Sequence, residues 1–140
     1  MSSNYDPKWL AGVLDANGRF FAVSTRVRTI RPCLTVTSPN EKLIELLWRT
    51  TGAGIDTSTT QCNSRVWRVY AVAELEPILR ATIPHLRVQR QHAKLLLQLC
   101  EMTAKQGQRL TETQIEMRFA ILAELRALSP LAAKRRKTSR

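Results

Sequence analysis

The stretch Trp9-Leu10-Ala11-Gly12-Val13-Leu14-Asp15-Ala16-Asn17-Gly18-Arg19-Phe20 decides how this chain is read. Asp6-Pro7 just ahead of it is a helix start, an N-cap residue followed by proline at the first helical position. The helix is expected to run to about Asp15 and to stop near Gly18, where glycine lets the chain turn sharply into a strand. Ala11, Gly12 and Ala16 give it small surfaces, and small surfaces let a second helix approach closely.

Working outward, Arg19 to Arg28 is rich in Phe, Val, Ser and Thr and reads as a strand. A second strand follows at Pro32 to Thr37, with Leu34/Val36 and Thr35/Thr37 alternating as in a half-buried strand. Ser38-Pro39-Asn40-Glu41 reads as a capping box with proline at the first helical position, opening a helix from Glu41 to Thr50. Gly52-Ala53-Gly54 ends that helix. Ile55 to Gln61 and Arg65 to Ala71 form a hairpin around Cys62-Asn63-Ser64. A third helix spans about Ala73 to Ile83 and Pro84 stops it. Val88 to Met102 is helical, with Ala93, Leu96, Leu97 and Cys100 on one stripe, and Thr111-Glu112-Thr113-Gln114 opens a last helix to Leu128 ahead of Pro130. The order helix-strand-strand-helix-strand-strand-helix, then two more helices, predicts an α+β domain with one antiparallel sheet, one face packed and one free. It is expected to fill residues 1–130, with 131–140 as a basic tail containing Lys134-Arg135-Arg136-Lys137.

A chain of 140 residues that is 44% hydrophobic suits one domain with a real core. No apolar run approaches the roughly 18 residues that span a bilayer. Met1 to Lys8 is polar, with neither a secretory h-region nor an Arg-rich presequence. Cys33, Cys62 and Cys100 are scattered and form no CxxC pair, which argues against a zinc site and for free thiols in a reducing compartment, an organelle matrix or the cytoplasm. The charge is +11, from 22 basic and 11 acidic residues, and 16 of the basic residues are Arg. Such an excess suits a polyanion, because Arg grips phosphate and guanine edges in bidentate fashion. A GC-rich genome also inflates Arg.

The opening stretch resembles the signature helix of the LAGLIDADG homing endonucleases. Eight of its nine signature positions carry the consensus residue or an apolar swap. Ile83-Pro84-His85-Leu86-Arg87-Val88-Gln89-Arg90-Gln91-His92-Ala93 is similar to a second family passage at the right distance, and the likeness covers about Tyr5 to Gln98. The resemblance implies the αββαββα fold with a four-stranded antiparallel saddle sheet plus C-terminal helices. With a single signature it also implies a homodimer, whose interface would use Leu10, Ala11, Gly12, Leu14 and Asp15. In the family an acidic residue at the helix end holds divalent metal against the scissile phosphates.

That position is Asn17 here, and Gln89 stands where many members place a Lys. Asn keeps the shape but loses the charge that holds Mg²⁺. Asp15 is read as a brace for the helix end, with a metal-ligand role as the alternative if the site is active. Ser38 falls near the position of a polar, water-placing residue. The candidate nucleic-acid contacts are Arg19, Arg26, Arg28, Arg31, Arg65 and Arg68 on the sheet, its face left open by strand parity, and Arg87, Arg90 and Lys94 for backbone phosphates. Trp9, Trp48 and Trp67 read as core or interface, His85 and His92 as surface or backbone-contacting groups, and Glu74 and Glu76 as helix-start charges.

The leading expectation is a nucleic-acid-binding homodimer on this scaffold, with cleavage lost and no metal needed. Its ligand would be duplex DNA or structured RNA, as in a maturase or a ribonucleoprotein component such as a ribosomal protein. The alternative is an active Mg²⁺-dependent homing endonuclease, intron-encoded as family members are, making double-strand cuts in a long pseudo-palindromic site. A third class is a protein-interaction module whose charge is incidental.

Overall fold

The computed structural model describes residues 5–24, 30–58, 65–102 and 110–128. Helix α1 covers Pro7–Asn17, with the Asp6 carboxylate accepting from the Lys8 amide at 3.0 Å. Strands β1 (Gly18–Ser24) and β2 (Ile30–Ser38) follow, then α2 (Glu41–Thr51), β3 (Ile55–Ser58), β4 (Arg65–Val69), α3 (Val72–Thr82), a 3-10 turn (Ile83–His85), α4 (Arg90–Glu101) and α5 (Glu112–Leu128). The expected element order is present. The expected far end of the first strand, with Arg26 and Arg28, lies outside the described residues, as do Gln61 to Ser64, Pro130 and the basic tail.

Strand β2 begins at Ile30, two residues ahead of the expected Pro32, and three helix ends differ from expectation in their local chemistry. Helix α2 is capped by Asn40, whose Oδ1 accepts from the amides of Lys42 and Leu43 at 3.1 and 3.3 Å. Ser38 does not cap it; its Oγ accepts from the Asn40 amide at 3.0 Å, and Pro39 precedes the helix. Helix α4 begins at Arg90, two residues later than the apolar pattern suggested, because the amides of Arg87, Val88 and Gln89 are turned to a side chain of α1. At the end of α1, Gly18 has φ −84°, which any residue adopts. Its glycine is required by space: a Cβ there would lie 2.7 Å from the Leu14 carbonyl oxygen. Thr111 opens α5 as expected, through a reciprocal capping box in which the Gln114 amide donates to Thr111 Oγ1 at 3.1 Å and the Thr111 amide to Gln114 Oε1 at 2.8 Å.

The four strands form one antiparallel sheet in the order β1-β2-β4-β3. Phe20 faces Leu34 and Val36 faces Trp67 across the ladders, and these residues with Ala22, Ile30 and Val69 supply the helix-covered side. Leu47 and Ile44 of α2, Leu75 and Leu79 of α3, Leu96 and Leu99 of α4 and Leu122 and Leu125 of α5 complete the core. Trp67 is fully buried and its Nε1–H donates to the Ala53 carbonyl at 2.9 Å. That contact explains the Gly-Ala-Gly turn. Gly52 takes φ 64° to end α2, and Gly54, at φ 80°, leaves no room for a Cβ, which would meet Trp67 Nε1 at 2.8 Å.

The outer helix α5 is tied down by an arginine. Arg118 is 4% exposed and donates to the Leu99 carbonyl at 2.9 Å and the Ile30 carbonyl at 2.7 Å, joining α5 to α4 and β2. Burial holds its pKa below the usual guanidinium value.

Candidate nucleic-acid interface

Helices α1 and α4 meet end to end and cap each other. The Asp15 carboxylate, in the last turn of α1, accepts from the Arg87 amide at 2.8 Å, the Val88 amide at 3.1 Å and the Gln89 amide at 3.0 Å. These amides lie at the N-terminal end of α4, whose own residues supply no side-chain cap. In return the Gln89 side-chain Nε2 donates to the Leu14 carbonyl at 2.8 Å and the Gly18 carbonyl at 2.9 Å, satisfying oxygens at the end of α1. Asp15 is therefore a brace, as expected. An acid in a helix's last turn opposes the helix dipole, and that conflict is the sequence signal that it serves another element.

Asn17 follows on the exposed end of α1, and its side chain makes no hydrogen bond among the described residues. These groups do not fit a divalent cation. Asn17 offers a neutral amide, both Asp15 oxygens already accept backbone protons, and Gln89 turns its donor toward carbonyls.

Leu10, Ala11 and Leu14 are fully buried within the chain against its own core, which corrects their expected place on a surface between two copies. The outward face of α1 carries Lys8, Gly12 and Ala16, spaced one turn apart, with Asp15 half-buried beside them. A Cβ on Gly12 would meet nothing within 4 Å. Lys8, Gly12 and Asp15 line a groove of about 640 Å³ with Pro84, His85, Arg87 and Arg90. Arg90 is held in place by donating to the Leu86 carbonyl at 3.0 Å and the Pro84 carbonyl at 3.3 Å. Lys94 is exposed one turn further along α4.

The ladder pairing resolves the face ambiguity. Arg19 pairs with Thr35, and Thr35 with Arg68, so these residues share the side away from the helices, along with Phe21, Val23, Arg31 and Cys33. Arg65 does not belong there; it pairs with Ser38 and shares the parity of Trp67 and Val69, on the helix-facing side. The Arg19 guanidinium lies 4.7 Å from the centre of the Phe21 ring and that of Arg31 lies 5.9 Å from the centre of Tyr70. Phe21 and Tyr70 were not among the expected contacts, although their alternation with arginine was visible. Burial pushes the Cys33 thiol up, partly offset by Arg68, Arg19 and Arg31.

Of the remaining candidates, Trp67 is core, Trp9 is half-buried and Trp48 is 47% exposed. His92 Nε2 lies 3.1 Å from the Leu128 carbonyl and its Nδ1 is buried without a partner. Glu74 accepts from the Gly54 amide at 3.3 Å, and Glu76 with Glu101 of α4 brackets Arg80 at 2.9 and 2.7 Å. Within the described residues no group of three or more His, Cys, Asp or Glu is placed to hold a metal.

A single αββαββα unit with helices against one side of a four-stranded antiparallel sheet and Arg19, Arg31 and Arg68 on the other defines the class of fold. The particular fold is that of the LAGLIDADG homing endonucleases. The homing endonuclease I-CvuI, solved with its target in the presence of Ca, is 24% identical with a TM-score of 0.73, over 89% of this chain and 82% of that one. An archaeal intron-encoded homing endonuclease complexed with DNA gives 18% identity and a TM-score of 0.79, over 88% of this chain and 83% of that one. The LAGLIDADG homing endonuclease I-LtrWI bound to target DNA gives 16% identity and a TM-score of 0.70, over 89% of this chain but 45% of its own length. No family model matches the sequence. No curated protein matches it either.

Proposed function

We propose that this chain is a homodimeric nucleic-acid-binding protein built on the LAGLIDADG scaffold and retired from cleavage, serving DNA or structured RNA in a maturase-like or ribonucleoprotein role. The observation that carries the reading is the helix end at Asn17. The residue placed where the family grips metal is a neutral amide, the neighbouring acid caps α4, and Gln89 is engaged on the carbonyls of α1. The open arginine face and the +11 charge support retained binding. The homodimer is supported by Gly12, an exposed glycine inside a helix, which costs about 1 kcal/mol relative to Ala and has open space where a Cβ would sit. It is also supported by size: this unit spans less than half of I-LtrWI, leaving room there for a second.

Incubation of the purified protein with Mg²⁺ and a library of long duplexes is expected to give binding without double-strand cutting. Asn17→Asp combined with Gln89→Lys is expected to recover some cutting. Efficient cutting by the unaltered chain would replace this reading with the active endonuclease.

A further inference from the structure

We infer that the open sheet face holds a site for a single unpaired nucleobase, between Phe21 and Tyr70 and above Cys33. The inference rests on the proposed nucleic-acid function and names the kind of nucleic acid. Phe21 of β1 pairs with Cys33 of β2, and the β2–β4 register, with Leu34 opposite Val69, places Tyr70 beside Cys33 one step on. One row across the sheet therefore reads aromatic, thiol, aromatic. The small Cys33 side chain, 6% exposed, is the floor of a notch and the two rings are its walls. Backbones two strands apart are separated by about 10 Å, which lets one flat ring sit about 5 Å from each wall. The notch opens into a concavity of about 470 Å³ completed by Val23, Arg31, Ile55 and Arg68.

The chemistry of that lining favours a base face over a base edge. Val23, Ile55 and Tyr70 are 47%, 42% and 41% exposed, so the face offers water a substantial apolar surface. The edges of a duplex groove are mostly hydrogen-bond donors and acceptors, and only the thymine methyl answers an apolar wall. The flat face of an unstacked base answers it whatever the sequence. Arg19 over Phe21 and Arg31 over Tyr70 flank the notch with cations where the phosphates on either side of a splayed nucleotide would run, so the charge complements the same ligand.

The test compares hairpins with one common stem, fully paired or carrying a single bulged purine, made as RNA and as DNA and titrated at one salt concentration. The bulged hairpin is expected to bind at least about tenfold tighter, in line with the value of one base stacked on aromatic side chains. Phe21→Leu and Tyr70→Leu should each cut that preference to about twofold or less and leave the paired hairpin's affinity nearly unchanged. Tyr70→Phe, which keeps the ring, should retain it, and thermal unfolding confirms that each variant folds. A fluorescent purine analogue at the bulge should change its emission on binding. A preference confined to RNA or to DNA identifies the source of the base. Equal affinity for paired and bulged hairpins, or a preference that survives both leucine variants, overturns the site while leaving general nucleic-acid binding intact. Absence of binding to every hairpin overturns both.

Discussion

Asp15 shows how much one carboxylate can hold. It takes three successive amide protons at the start of α4, so its removal would leave three donors without their partner. Asp15→Ala is expected to cost about 2–4 kcal/mol, from charge-assisted bonds of about 1.5–3 kcal/mol each discounted for access of water to the freed amides. Asp15→Asn, which keeps an acceptor, should cost less. Urea unfolding measures both, and an Asp15→Ala cost below about 1 kcal/mol would mean that the clamp is ornamental. A second effect at this scale concerns Cys100. Burial first, then Glu76, pushes its thiol from 9.0 up to about 12, with Arg118 opposing. The unfolded chain then releases this proton at lower pH than the folded one, so the stability contribution is whole below about pH 9 and drains away as pH rises toward about 12. Thermal unfolding at pH 8 and again about two units higher should show a smaller alkaline loss in Cys100→Val than in the parent; equal losses would contradict the assignment.

At the scale of elements, α1 and α5 make contrasting cases. Helix α1 was legible because its start, its small residues and its stop are all local. What sequence could not show is which of its faces the chain keeps for itself. Leu10, Ala11 and Leu14 face inward, and the Lys8–Gly12–Ala16 line looks out. Gly12→Leu should therefore fold normally while light scattering shows the proposed dimer converted to monomer; a dimer that persists would move the interface elsewhere. Helix α5 carries its least legible residue at its centre. Arg118 reads as one more surface cation, yet it lies inside the fold because carbonyls of Leu99 and Ile30 converge on it from elements 19 and 88 residues away in sequence. Arg118→Met should lower stability by about 2–4 kcal/mol by removing the two charge-assisted hydrogen bonds that tie α5 to α4 and β2, measured by urea unfolding. The sheet falls between the two cases. Strand existence follows from composition, but the order β1-β2-β4-β3 and the parity that separates Arg65 from Arg68 follow only from pairing.

At the scale of the whole molecule, five of the described arginines fall on two surfaces, Arg19, Arg31 and Arg68 on the open sheet and Arg87 and Arg90 in the groove beside α1. If a nucleic acid uses the sheet, Arg31→Ala with Arg68→Ala should flatten the dependence of log affinity on log salt by about 0.9 for each duplex phosphate no longer neutralised. An unchanged slope would assign binding to the groove instead. The mutual capping of α1 and α4 bears on mutability as well as on folding. Gln89 has a second employment, seating the very helix end on which Asn17 stands. A change at Asn17 or at Gln89 alone therefore meets a neighbour committed to the present arrangement. Such coupling acts as a latch, in which one side chain that steadies the scaffold limits what its neighbourhood can become.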